Sequence, residues 1–329
     1  MRRREFIAGL AGAAAWPLAA RAQQPKVPVV GLLNGASFEG PYAVPVATIR
    51  QGLQEAGFVE GRNLAIEFRT ADGHYERLPE LAADLVRMQV AVIVAIGAST
   101  PALAAKAATS TIPIVFAIGS DAVEVGLVDS LNRPETNVAD TSLATGGPAA
   151  RRLELLLELR PGASSLVGYL DNSRLSGAFE TNVENVTRAA RIKGRELVAF
   201  DAGNEREVET AFIHMALQRV RALVVGPDAF LITRQEQIIA LAAESAMPTI
   251  YPTRGAVMLG GLMSYGALTN DMYRAAGIYA GRILNGATLA ALPVMPPARF
   301  ELVINKTTAK ALRIAVPGPL LARADAIVG

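Results

Sequence analysis

The side chains of this chain that can do chemistry are hydroxyls, amides and carboxylates, and they recur at one kind of place: just after a short apolar run. Asn34 follows the first run, Ser99 and Thr100 follow Gly97, and Ser120 and Asp121 follow Gly119. In the second half come Asp171 and Asn172, then Asp228, Tyr251, and the pair Ser264 and Tyr265. Groups of this kind hold a ligand by hydrogen bonds. Thr100-Pro101 reads as a helix start, Thr as N-cap and Pro in the first turn, where free N–H groups can face an anion. Every strand-to-helix loop needs caps and turn residues, so a cap explains any one of these residues equally well. Spread over both halves, the set indicates a binding crevice.

Catalysis finds little support. The chain has no cysteine, which removes thiolate nucleophiles, disulfides, Cys-held metals and a lipid anchor on cysteine. Its two histidines, His74 and His214, stand in no metal-ligand spacing and read as ordinary surface or partly buried residues. Dinucleotide, Walker and nucleophile-elbow motifs are missing. No catalytic residue, metal or cofactor is expected.

The elements that must position these residues follow one plan. Strand-like runs at 27–34, 64–71, 90–97, 111–119 and 137–143 alternate with helical patterns at about 42–57, 75–88, 101–109 and 122–132. Five more runs follow at 165–171, 196–202, 222–228, 248–251 and 262–265, with helices near 151–159, 177–193, 204–219 and 233–246. Near-continuous apolar strands alternating with helices predict parallel sheets covered on both faces. In such sheets ligands bind outside the carboxyl ends of the strands, where the polar residues lie. At 329 residues the chain suits two domains. The expectation is α/β: two doubly wound parallel-sheet lobes. The first is 26–143 plus about 267–290, and the second is 144–266 plus about 291–329. A helix at 271–284, a Pro-rich linker at 292–297, a strand at 300–304 and a helix at 306–312 are expected to cross between lobes and make a multi-crossing hinge.

The amino terminus is of another kind. Three arginines, an Ala-rich apolar stretch and Ala20-Arg21-Ala22 have the layout of a signal peptide over 1–22, cut after Ala22. The apolar run is shorter than the ~20 residues a membrane span needs. Arg3-Arg4-Glu5-Phe6-Ile7 resembles a twin-arginine export signal. Taking Arg2, Arg3, Arg4, Arg21 and Glu5 from 32 basic and 30 acidic residues leaves 28 and 29, a net charge of −1. The basicity belongs to the leader, and no basic patch argues for nucleic acid. The mature product is expected to be periplasmic, soluble, monomeric and not membrane-anchored.

Several stretches carry a family likeness: Phe58-Val59-Glu60-Gly61-Arg62-Asn63, Ile112-Pro113-Ile114-Val115-Phe116, and Gly261-Leu262-Met263-Ser264-Tyr265-Gly266. So do Phe300-Glu301-Leu302-Val303-Ile304-Asn305-Lys306 and the segment from Val316 to Asp325. Over nearly its full length the chain resembles the tryptophan-transporter-like family of ABC-type substrate-binding proteins. That resemblance implies two type I periplasmic-binding-protein lobes closing on a small molecule, an amino acid or other carboxylate, for an ABC permease and its ATPase. The family's ligand loops fall on Ser99-Thr100, Ser120-Asp121, Asp171-Asn172, Asp228, Tyr251 and Ser264-Tyr265. Asp121-Ala122-Val123 departs from the family's usual Asp-Pro-Val, and Pro134-Glu135-Thr136-Asn137 from its Pro-Gly-Gly-Asn. A binding protein that reports to a membrane receptor, and an exported enzyme, are the alternatives. Neighbouring permease genes would separate the first from import, and a cofactor absorbance would reveal the second.

Overall fold

The computed structural model describes residues 27–118, 122–123, 125–128, 137–140, 148–159, 165–172, 178–292 and 299–329. The first sheet holds β1 (Val29–Asn34), β2 (Ala65–Thr70), β3 (Val92–Ile96), β4 (Ile114–Ala117) and β5 (Val138–Asp140). All five are parallel, in the order β2-β1-β3-β4-β5. The second holds β6 (Leu166–Asp171), β7 (Glu196–Asp201), β8 (Leu223–Val225), β9 (Thr249–Tyr251), β10 (Met263–Ala267), β11 (Phe300–Asn305) and β12 (Ala326–Val328). Its order is β12-β11-β10-β9-β8-β6-β7.

Twelve α-helices are found among the described residues. With the early strands lie α1 (Ala43–Glu55), α2 (Leu78–Arg87) and α3 (Ser99–Ala108). Then come α4 (Pro148–Leu159), α5 (Ala178–Ile192), α6 (Glu205–Leu217), α7 (Ala229–Thr233), α8 (Gln235–Glu244) and α9 (Arg254–Met258). The chain closes with α10 (Thr269–Leu284), α11 (Lys306–Ala311) and α12 (Gly318–Leu321).

Strand β3 shows why the strands are apolar throughout. Its side chains alternate between two buried faces. Val92, Val94 and Ile96 join Ile49 and Leu53 of α1 and Ala276 and Tyr279 of α10. Ile93 and Ala95 join Leu78, Ala82 and Leu85 of α2. In the second sheet Val167, Tyr169, Val224 and Ile250 pack with Leu153 and Leu156 of α4.

Helix α10 follows a strand of the second sheet but lies along α1 on the first. Gly52 and Gly277 permit the approach, because a Cβ on either would press into a backbone carbonyl of the facing helix, Arg274 O or Ile49 O. Arg274 adds a two-pronged ion pair to Glu55, at 2.7 and 2.6 Å. The chain then returns to the second sheet. The outgoing and returning segments touch, with Leu268 N donating to Arg299 O at 2.9 Å.

Some expectations needed correcting. Strand β11 is antiparallel to β10, so the second sheet is mixed rather than wholly parallel. The helix expected at 122–132 does not form over its described part, where residues 122, 123 and 125–128 make turns and open chain. Helices α7, α9 and α12 and strand β12 were not foreseen; each has five residues or fewer, too short for a periodic pattern.

Candidate functional site

The carboxyl ends of β1, β3, β6 and β8 carry the polar residues singled out by sequence. Asn34 ends β1 and is fully buried. Neither its Oδ1 nor its Nδ2 has a hydrogen-bond partner in the protein. After β3 the chain turns at Gly97, whose φ of +92° suits glycine. A Cβ there would stand 2.6 Å from Asn34 Oδ1 and 2.9 Å from the Tyr42 hydroxyl, so both polar atoms converge on this turn. Helix α3 begins two residues later. Its N-cap is Ala98, not Thr100, and no side chain caps it. Ser99 and Thr100 lie buried in the first turn; with Pro101 lacking an N–H, theirs are the turn's available donors.

Across from these residues, Asp171 ends β6 and lies against Gly226, after β8. Its Oδ2 accepts from the Tyr169 hydroxyl at 2.7 Å and Asn182 Nδ2 at 3.2 Å, and its Oδ1 from Asn172 N at 3.0 Å. Asn172 Nδ2 reaches Asp228 Oδ1 at 3.4 Å. Asp228 caps α7, accepting from Leu231 N at 3.1 Å. Burial, and next the Asp228 charge, raise Asp171 from the usual carboxylate value to about 7, against the pull of its donors. Burial raises Asp228 too.

Tyr75 joins the two sheets' edges. It follows β2, and its ring covers Gly35, where a Cβ would be 2.6 Å from Cε1. Its hydroxyl donates to Asp228 Oδ2 at 2.7 Å and accepts from Phe230 N at 3.1 Å. Tyr75 and Phe230 belong to one continuous apolar cluster. Sequence reading noticed His74 and passed over its neighbour; His74 is exposed beside Glu76, at 3.2 Å. Tyr42 was also missed. Burial, then Tyr273 and Asp228, hold its hydroxyl well above the usual tyrosine value, so at neutral pH it is a donor.

Arg152 was the third omission, since an arginine in an amphipathic helix reads as its solvent face. It is only 2% exposed. Nη1 donates to the Tyr265 carbonyl at 3.2 Å, while Nε and Nη2 have no hydrogen-bond partner in the protein. Burial lowers its pKa, and Tyr169, Asp171 and Tyr265 oppose that.

The remaining expected residues separate. Tyr251 and Ser264 are register partners on one face of the second sheet, Tyr251 within the apolar cluster and Ser264 Oγ buried without a partner. Tyr265 leaves the other face and stacks on Phe300, centroids 5.4 Å apart and planes 14° apart. The two tyrosines therefore do not form one wall. Ser120 and Asp121 lie outside the described residues.

A family model described as ABC transporter substrate binding protein matches residues 20–328. The chain belongs to this family. Its members are binding proteins rather than enzymes. The Tyrosine-binding protein of Clostridioides difficile is 29% identical over 263 residues, 80% of this chain and 74% of that one. Among solved structures, an ABC domain from Streptococcus pneumonia in complex with L-Trp is 26% identical with a TM-score of 0.81, covering 92% of this chain and all of that one. A ligand-free, open substrate-binding protein with adhesive properties from Clostridium difficile is 25% identical, covering 92% and 99%, with a TM-score of 0.61. The two lobes thus have the type I periplasmic-binding-protein fold. At nearly equal identity, the TM-score is higher to the L-Trp complex than to the open form.

Proposed function

We infer that this family member captures a small carboxylate-bearing molecule, an amino acid, in the crevice between its two sheets and hands it to an ABC permease and ATPase. The observation that carries this reading is the meeting of two strand-end edges through Tyr75 and Asp228, with buried polar side chains on both. Ser99 and Thr100, with the uncapped start of α3, offer hydroxyl and N–H donors suited to a carboxylate. Asp171 and Asp228 supply acceptors from the opposite edge. The relatives' binding of tyrosine and L-Trp supports an amino acid as cargo. Delivery in the periplasm requires export, which the 1–22 leader would direct, by the twin-arginine route. Among the described residues no helix is long and apolar enough to cross a membrane.

One preparation tests this reading. Protein collected from outside the cytoplasmic membrane should have a mass that begins at Gln23. In a thermal-shift screen of amino acids and other small carboxylates, at least one should raise its melting temperature, because a ligand binding only the native state stabilises it. Retention of residues 1–22, or a screen with no shift at concentrations a hundred times an ordinary micromolar Kd, would sink the corresponding half of the reading.

A further inference from the structure

The first sheet's side of the crevice contains three buried polar atoms with no protein partner in one place: Asn34 Oδ1, Asn34 Nδ2 and the Tyr42 hydroxyl. Native proteins leave few such atoms unpaired, because each costs about 1–3 kcal/mol of desolvation. Both residues are held rigidly. Asn34 is locked in β1 between β2 and β3, with its backbone carbonyl taken by Ala71 N. Tyr42 ends a short helical turn, Gly40–Tyr42, and its ring is buried with Val46 and Ile49. Their polar atoms converge on Gly97, two residues before the uncapped α3.

We propose that Asn34 and Tyr42, with the first turn of α3, form the subsite that reads the α-amino-carboxylate headgroup of the ligand. The assignment rests on the reading of the cargo as an amino acid. Asn34 Nδ2 and the Tyr42 hydroxyl donate to the carboxylate alongside the Ser99 and Thr100 N–H groups. Asn34 Oδ1, an acceptor on the same side chain, takes a proton of the ammonium group. Asp228 of the facing edge, joined to the first sheet's side through Tyr75, is the counter-charge assigned to the ammonium. The chemistry is complementary: neutral donors at a helix amino terminus for the anion, an amide oxygen and a carboxylate for the cation. The ligand's own side chain then extends away from Gly97, leaving the headgroup contacts independent of which side chain it is.

The test uses the mature protein with L-tryptophan and L-tyrosine, the decarboxylated amines tryptamine and tyramine, and the deaminated acids indole-3-propanoate and 4-hydroxyphenylpropanoate. Titration calorimetry is run on wild type, Tyr42→Phe, Asn34→Leu and Asn34→Asp, with thermal melts as a check of folding. Tyr42→Phe should weaken the amino acid by about ten- to a hundredfold, the range for a hydrogen bond to a charged group, and the decarboxylated amine by less than threefold. Asn34→Asp should weaken the deaminated acid more than the amine, because it sets a carboxylate beside a carboxylate. If Asn34→Leu does not fold, Tyr42→Phe, which removes a single hydroxyl, carries the test alone. Equal losses for the amino acid and its decarboxylated amine would reduce Tyr42 to a packing role and overturn the proposal. So would unchanged affinity in every folded variant, with amino-acid capture left standing. If the thermal-shift screen selects another amino acid, it and its decarboxylated and deaminated forms replace these ligands; wild type that binds no amino acid overturns both readings together.

Discussion

At the scale of single residues, the molecule concentrates buried polarity where its sheets meet. Asp171 is the clearest case, facing Tyr169, Asn172, Asn182, Asp228 and the Arg152 guanidinium. Its pKa rises from 3.8 to about 7 on folding, so the folded state holds the proton more tightly than the unfolded chain. The sign follows from that. Stability from this group is fully present below pH ~4 and is lost as pH climbs towards about 7, to an upper limit of about 4 kcal/mol at ~1.4 kcal/mol per unit. Asp228 shifts the same way and adds to the trend. Ligand-free protein should therefore melt at lower temperature at pH 8 than at pH 5, and Asp171→Asn should flatten that slope; an equally steep profile in the variant would contradict the assignment. Asn34, Asp171, Asn172 and Asp228 were legible in sequence because each ends or follows an apolar run. Tyr42, Tyr75 and Arg152 were not. Their roles depend on packing between segments far apart in the chain, as with the 153 residues separating Tyr75 from Asp228, and no local spacing records that.

At the scale of elements, the long strands and helices were readable to within a few residues, since apolar runs and helical periodicity are local properties. What sequence could not supply was pairing. Nothing in Phe300–Asn305 says that it runs antiparallel to Met263–Ala267, because alternation along a strand is the same in either direction. The contact of α1 with α10 was equally hidden, although Gly52 and Gly277 make it possible. Gly277→Ala should destabilise the protein by about 1–3 kcal/mol in chemical denaturation, since the helices must move apart, despite alanine's better helix propensity of about 1 kcal/mol. Gly255→Ala in α9 is the control. Its Cβ would meet nothing nearer than Gln235 Nε2 at 3.6 Å, and it should be neutral or mildly stabilising. Equal losses at both positions would refute close helix approach as the cause.

At the scale of the whole molecule, we predict that the two lobes close on the ligand like a hinge, with the Tyr75–Asp228 bond as its latch. Ligand should reduce the radius of gyration in small-angle scattering. Tyr75→Phe removes a donor to a buried carboxylate, worth about 1.5–3 kcal/mol, and should move the midpoint of that titration to about tenfold or more higher ligand. A profile that ligand leaves unchanged would mean a rigid site, and an unaltered midpoint would mean that Tyr75 is no latch. The placement of α10 has a different consequence, for assembly. Glu55 and its partner Arg274 are 219 residues apart, so the helix that covers α1 is among the last parts of the chain to be made. Contacts this distant form slowly. During synthesis the first sheet must wait, one apolar face covered by α1 without its neighbour α10, until most of the second lobe has emerged. The two halves of the molecule therefore cannot mature one after the other: the first waits for α10, and the second waits for β11 and β12, which are made later still.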